Sequence, residues 1–362
     1  MLLSIRTKID DMKNLLAIML LLFFAVAGPH AEAAGINDYD YYKPAWMGKE
    51  RIIVVGYRGV PKKTVRALRK AYIKSYQALG TQPIADIYAL FWDTQKSNLQ
   101  KVGRKWCKVA GKEDNRCREA MSGNYGGFKQ PDEAAGGFED TMLGLNHGTE
   151  GWWKEMVVDD GHLKTVAHEY FHVYQNMMAF YFEKEKRLGV PRKKGMNYLV
   201  RPYWMEEGGA DYFAYNVAGK NKWKDHDYKY KMKQALVQAR AEIKAGKKKG
   251  IKVTLKNYAT ETQIDKLRAQ GFEPHFQYDG GAWANAYLRY LTGTNKGVFT
   301  NYYKDIAELE RTWRKKGKMN YGWQKSFQKN FGMTVNQFYT KFNRFMKWST
   351  SRQMKILSAP LS

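Results

Sequence analysis

Apolar residues in the first part of the chain follow two different patterns. Residues 51–57 (RIIVVGY) and residues 84–92 (IADIYALFW) are short apolar runs that predict strands. Between them, residues 61–79 carry apolar side chains three and four positions apart, which predicts a helix with one apolar face. Residues 140–145 predict a further strand, at the edge of a sheet. We therefore expect an N-terminal lobe that contains a sheet.

From about Gly161 onward the pattern changes to helical periodicity, with many aromatic residues and lysines. The expected fold class is α+β, with an N-terminal α/β lobe over residues 34–160 and a mostly helical lobe over residues 161–362. The chain has 362 residues, 44% of them hydrophobic, and can therefore bury a sizeable core. We expect the two lobes to form one folded unit.

The first 33 residues have the layout of a secretory signal peptide. Three basic residues, Arg6, Lys8 and Lys13, precede an apolar run over residues 15–27, and the small-x-small sequence AEA at 31–33 follows. The apolar run is shorter than the roughly 20 residues that a membrane-spanning helix needs. The sequence predicts an exported protein, periplasmic or extracellular, with Met12 as an alternative start.

The charge balance is strongly basic. The chain has 61 Lys and Arg against 35 Asp and Glu, a formal net charge of +26. Such an excess indicates attraction to an anionic envelope polymer or lipid surface, although a general effect on solubility explains it equally well. In an exported protein we expect no specific nucleic-acid partner.

The two cysteines, Cys107 and Cys117, are close together in the sequence. In an oxidising compartment this pair predicts one local disulfide, and a reduced pair is the alternative. Two thiols without further cysteine partners make a poor zinc knuckle.

The stretch VAHEYFHVYQ contains an H-E-x-x-H pattern formed by His168, Glu169 and His172. On a helix, residues four apart share a face, so the two imidazoles can bind one metal ion while Glu169 lies beside them. Zinc suits imidazole ligands, and a catalytic zinc site needs a third protein ligand and an open position for water.

A candidate third ligand follows in YWMEEGGADYFAY. Glu207 comes 35 residues after His172, which is enough for the helix to end and a second one to return. Asp211, four residues further on, can accept a hydrogen bond from the second nitrogen of a ligand histidine. Glu206 is the competing ligand, but no acid follows it at the same spacing. Gly208 and Gly209 would let the two helices approach closely.

HEYFH followed by WMEEGGADYF resembles the gluzincin clan of zinc metallopeptidases, which includes thermolysin and the leukotriene-hydrolase-like aminopeptidases, and most closely its peptidase MA-like domains. The resemblance covers about residues 160–350. It implies a zincin-like fold with one zinc ion on the active-site helix between the lobes, bound by His168, His172 and Glu207, with Asp211 behind the ligands. YDGGAWANAYLRYL resembles the segment with a tyrosine that hydrogen-bonds the tetrahedral intermediate, which implies Tyr278.

These residues predict a secreted zinc metallopeptidase that acts on a peptide or protein. Zinc would lower the pKa of its water to about 7, and Glu169 would pass the proton of that water to the leaving amine. Tyr278, or less favourably His275, would donate to the oxyanion. The edge strand, over Thr141 to Leu145, could pair with an extended peptide. The alternatives are a noncatalytic basic envelope-binding protein on a zincin scaffold and a zinc amidase that acts on a cell-wall peptide.

Overall fold

The computed structural model describes part of the chain. The described residues are 52–56, 62–79, 86–92, 127–129, 140–146, 163–172, 174–175, 201–223, 227–293, 297–318 and 320–357. The predicted signal peptide, the alternative start at Met12, and Cys107 and Cys117 lie outside these residues.

Four short segments near the start of the described chain have strand backbone, and they are described by their backbone alone. They are β1 (Ile52–Gly56), β2 (Asp86–Trp92), β3 (Gly127–Lys129) and β4 (Asp140–Asn146). Their order is β1-β2-β4-β3, with β3 antiparallel to β4 and the other pairs parallel. A strand is present at residues 140–146, but the prediction that it lies at the edge of a sheet was wrong, because β4 pairs with β2 on one side and with β3 on the other.

The other regular elements of the described residues are helices. They are α1 (Lys62–Leu79), α2 (163–172, with 174 and 175 also helical), α3 (Tyr203–Lys220), α4 (Tyr228–Lys248), a 3-10 turn (Leu255–Tyr258), α5 (Glu261–Ala269), α6 (Phe276–Leu291), α7 (Val298–Arg314), α8 (Gly322–Phe331), α9 (Val335–Phe345) and α10 (Thr350–Met354). None of the described helices is both long and apolar enough to cross a bilayer.

The four strands are described by their backbone only, and the rest of the structure is described with its side chains. In that second part 77% of the residues are helical and none lies in a strand or sheet, so its fold is all-helical. The expected α+β, zincin-like fold was therefore wrong for this part of the chain. The physical reason is that its core forms between helix faces. Tyr72 of α1, for example, packs edge-on against Tyr170 of α2 at 6.1 Å between ring centroids, and both side chains are fully buried.

Two glycines set how closely α3 meets its neighbours. A Cβ added at Gly208 would lie 2.2 Å from the backbone carbon of Gly281 in α6, so the two helices meet backbone to backbone. A Cβ at Gly209 would lie 3.2 Å from Phe171 of α2, so this glycine faces the helix that carries the two histidines. The close approach expected at both glycines thus involves two different helices.

The C-terminal helices cover the other side of α3 and α6. Trp204 in α3 is fully buried, stacks on Phe338 of α9 at 5.6 Å and donates from its indole nitrogen to the Tyr339 hydroxyl at 3.3 Å. Trp283 of α6 is also fully buried. The start of α3, just before Glu207, is therefore held by packing against the C-terminal helices.

Candidate metal centre

Helix α2 is buried nearly all the way round. Val166, Ala167 and Phe171 are fully buried, and even the polar residues His168, Glu169 and His172 are only 8%, 8% and 9% exposed. Polar groups at such depth need partners, because each loses its hydrogen bonds to water. The partners of the two imidazoles come from α3 and from the end of α2.

The structure brings His168, His172 and Glu207 together. Nε2 of His168 lies 3.2 Å from Nε2 of His172, and Oε2 of Glu207 lies 3.4 Å and 3.5 Å from these two nitrogens. These residues are the one group of three or more potential ligands within the described part of the chain. Glu206 does not belong to this group, so the geometry favours Glu207 over its neighbour.

The outer nitrogen of His168 faces Asp211, as the spacing along α3 predicts. Nδ1 of His168 lies 2.8 Å from Oδ1 of Asp211, which also forms an ion pair with Lys164. Burial alone would raise the pKa of Asp211, but Lys164 and His168 outweigh it and hold that pKa well below its usual range. A carboxylate there favours a proton on Nδ1 and leaves Nε2 facing the other ligands.

The outer nitrogen of His172 faces Gln175, a residue that the sequence analysis did not identify. Nδ1 of His172 lies 2.9 Å from Oε1 of Gln175. The amide nitrogen of Gln175 donates to the backbone oxygen of Glu206 at 3.1 Å, and the Tyr303 hydroxyl lies 3.0 Å from it. Since a carbonyl can only accept, the orientation of the amide is determined, and its oxygen must face the histidine. The sequence feature that could have identified Gln175 is its i, i+3 spacing from His172 on the same helix.

The side chains present fit a tetrahedral zinc ion. With Nδ1 of both histidines directed at an acceptor, both Nε2 atoms can offer a lone pair to the same point. An ion with bonds of about 2.1 Å in tetrahedral geometry holds its ligands about 3.4 Å apart. The three separations between Nε2, Nε2 and Oε2, 3.2 to 3.5 Å, match that value.

Electrostatics also favour positive charge at this point. Burial disfavours the charged form of His172, yet the Glu207 carboxylate outweighs burial and raises the pKa of His172 to about 10. Burial likewise opposes charge on His168, and Asp211 and Glu207 raise its pKa. Burial would raise the pKa of Glu207, but His172 and His168 hold it well below its usual range. The centre thus stabilises a cation, whether protons or a metal ion.

Glu206 behaves differently from its neighbour. Its Oε2 atom is buried and has no hydrogen-bond partner in the structure. Burial and the adjacent Glu207 carboxylate raise the pKa of Glu206 to about 8. The carboxylate that lies beside both imidazoles is that of Glu207, so the geometry distinguishes the two neighbours.

Of the two oxyanion donors considered, only Tyr278 faces the ligands. Its ring lies 6.3 Å from that of His168 between centroids. Burial, followed by the carboxylates of Glu207, Asp211 and Glu169, raises the pKa of Tyr278 and keeps the phenol protonated. His275 precedes α6, is exposed, and donates its backbone N–H to Glu242 at 3.1 Å.

Searches against protein-family models, curated proteins and solved structures found no match to this chain.

Proposed function

We propose that the protein is a zinc-dependent metallopeptidase. The observation that carries the proposal is the triangle of His168 Nε2, His172 Nε2 and Glu207 Oε2, with edges of 3.2, 3.4 and 3.5 Å. The motifs that hold these residues resemble those of gluzincin-clan peptidases, and Glu169 occupies the general-base position of that pattern.

A zinc ion held by these three residues would supply Lewis acidity, which acidifies water and polarises a carbonyl group. Glu169 follows the ligand His168 on the same buried helix, and its carboxylate takes a proton from the attacking water and delivers it to the leaving amine. The protonated phenol of Tyr278 donates a hydrogen bond where negative charge develops on the carbonyl oxygen. Asp211 and Gln175 hold the two imidazoles in the orientation that the ligands need.

The substrate we propose is a peptide or protein met after export, as the N-terminal sequence indicates. Hydrolysis of an amide in a cell-wall peptide would use the same residues in the same roles. A noncatalytic metal-binding protein is the remaining alternative, but it has no chemical need for a carboxylate at Glu169.

The test measures zinc per purified chain together with cleavage of an unstructured protein, with and without a chelator. We expect one zinc per chain and cleavage that the chelator abolishes and zinc restores. Zinc without cleavage of any protein or cell-wall peptide would favour the noncatalytic alternative. A chain that binds no zinc would contradict the proposal.

A further inference from the structure

A group of lysines and aromatic rings lies where α7 ends and α8 begins. Trp313, near the end of α7, meets the ring of Tyr321 edge-on at 5.0 Å between centroids. The ammonium groups of Lys316, Lys318 and Lys325 lie 4.9, 5.3 and 4.7 Å from the centre of the Trp313 ring. We call these five residues the Trp313 cluster.

The cluster concentrates positive charge. Because each ammonium lies close to the same ring, no two of the three nitrogens are more than about 10 Å apart. Within the described part of the chain none of the three forms an ion pair. Lys329, one turn beyond Lys325, is instead paired with Asp305 at 2.9 Å. At physiological salt, charges about 8 Å apart still influence one another, so an anion near the cluster interacts with all three lysines.

A buried carboxylate holds the connection that carries the cluster. Glu310 is 1% exposed and accepts hydrogen bonds from the backbone N–H groups of Asn320, Tyr321 and Gly322 at 2.7, 2.8 and 2.7 Å. A Cβ at Gly322 would lie 2.4 Å from the backbone nitrogen of Glu310, and Asn320 adopts a left-handed backbone with φ 56°. The start of α8, which leads to Lys325, is thus held against α7 before any ligand binds.

The chemistry of the cluster favours a phosphate-bearing ligand over an apolar or aromatic one. Three ammonium groups lie within 5.3 Å of the centre of the Trp313 ring, so the ring is not free to stack on a sugar or base. The large apolar side chains that are exposed in the described residues, Tyr230, Val237 and Tyr290, belong to α4 and α6. Trp313 and Tyr321 are half-buried, so the cluster presents mainly ammonium groups to its surroundings. Lysine binds phosphate as a point charge with several donors.

We propose that the Trp313 cluster is a docking site for a linear polymer whose charges are phosphate groups. Such a polymer presents successive anions to lysines that are spread over several ångströms, and the net charge of +26 attracts it from a distance. The cluster shares no residue with the metal centre, so the proposal does not rest on the peptidase function.

The test measures binding of labelled inorganic polyphosphate to the whole chain at several salt concentrations. The variant is Lys316→Gln, Lys318→Gln and Lys325→Gln together. The matched control replaces Lys244, Lys247 and Lys248, three exposed lysines of α4, by Gln and removes the same total charge. We expect about tenfold weaker binding and a shallower salt dependence for the cluster variant, and a change of about twofold or less for the control.

Replacement of the same three lysines by Arg keeps the charge and should keep binding. Equal losses in the cluster variant and the control would show that net charge alone attracts the polymer and would overturn the proposal. Unchanged binding in the cluster variant, or preferential binding of anionic phospholipid vesicles over polyphosphate, would overturn it as well.

Discussion

The metal centre and the Trp313 cluster are both organised by a buried carboxylate, yet they present opposite chemistry. At the metal centre, Asp211 accepts from His168, and the opposite side of the imidazole offers a lone pair to a cation. At the cluster, Glu310 accepts hydrogen bonds from three backbone N–H groups between α7 and α8. The lysines around this point carry ammonium groups that attract an anion. A buried carboxylate thus determines only the geometry, and the groups that it orients determine the ligand.

The first and largest expected effect concerns chemistry at the metal centre alone. Glu169→Gln should keep zinc bound but slow hydrolysis about 10²–10⁴-fold, because the ligands remain and the proton acceptor is lost. Glu273→Gln, an exposed glutamate before α6, is the matched control and should keep full activity. Cleavage assays on zinc-loaded chains give the comparison, and comparable turnover in the two variants would contradict the role of Glu169.

The second prediction separates two neighbouring carboxylates. Removal of a hydrogen-bond partner of a ligand weakens metal binding by roughly 10–100-fold. Glu207→Ala removes a ligand itself and should therefore weaken zinc binding by more than that. Glu206→Ala should weaken it much less, because Glu206 lies outside the ligand triangle. Competition with a zinc chelator measures both affinities. The reverse order would mean that Glu206 is the ligand. Both variants should bind polyphosphate like the parent chain.

The third prediction concerns the orientation of the two imidazoles. Asp211→Asn and Gln175→Leu should each weaken zinc binding about 10–100-fold, since Nδ1 of one histidine loses its acceptor or faces an amide that can flip. Cobalt substitution adds a spectroscopic measure of ligand geometry that a general loss of stability does not alter. Wild-type zinc affinity and cobalt spectrum in the Gln175 variant would mean that the amide serves packing between α2 and α3 only.

The smallest effect is expected at Glu310, the buried carboxylate beside the Trp313 cluster. Glu310→Gln should lower the free energy of unfolding by about 1–3 kcal/mol, because a neutral amide accepts more weakly and its NH₂ group faces backbone donors. Polyphosphate binding should weaken with it, while zinc affinity per folded chain stays unchanged. Denaturant unfolding and chelator competition measure the two quantities. A loss of zinc affinity equal to that of the Asp211 variant would show that the two regions are coupled.

Local spacing was informative wherever one helix carries the whole relationship. Two histidines four apart on α2 must share a face, and an acid four residues after Glu207 on α3 must lie near it. Spacing failed where two segments meet. It did not indicate that β3 pairs with β4, that Gly208 faces α6 instead of α2, or that the amide of Gln175 spans α2, α3 and α7.

By itself, the sequence determined the residue types, their order along each helix and a charge of +26, and these suffice to predict the set His168, Glu169, His172 and Glu207. The tertiary structure alone decided that the amide of Gln175 contacts Glu206 and Tyr303, and that Lys325 of α8 joins Lys316 and Lys318 at one ring. The physical reason is that periodicity specifies which side of a helix a residue occupies. Which other helix covers that side depends on packing between segments far apart in the chain.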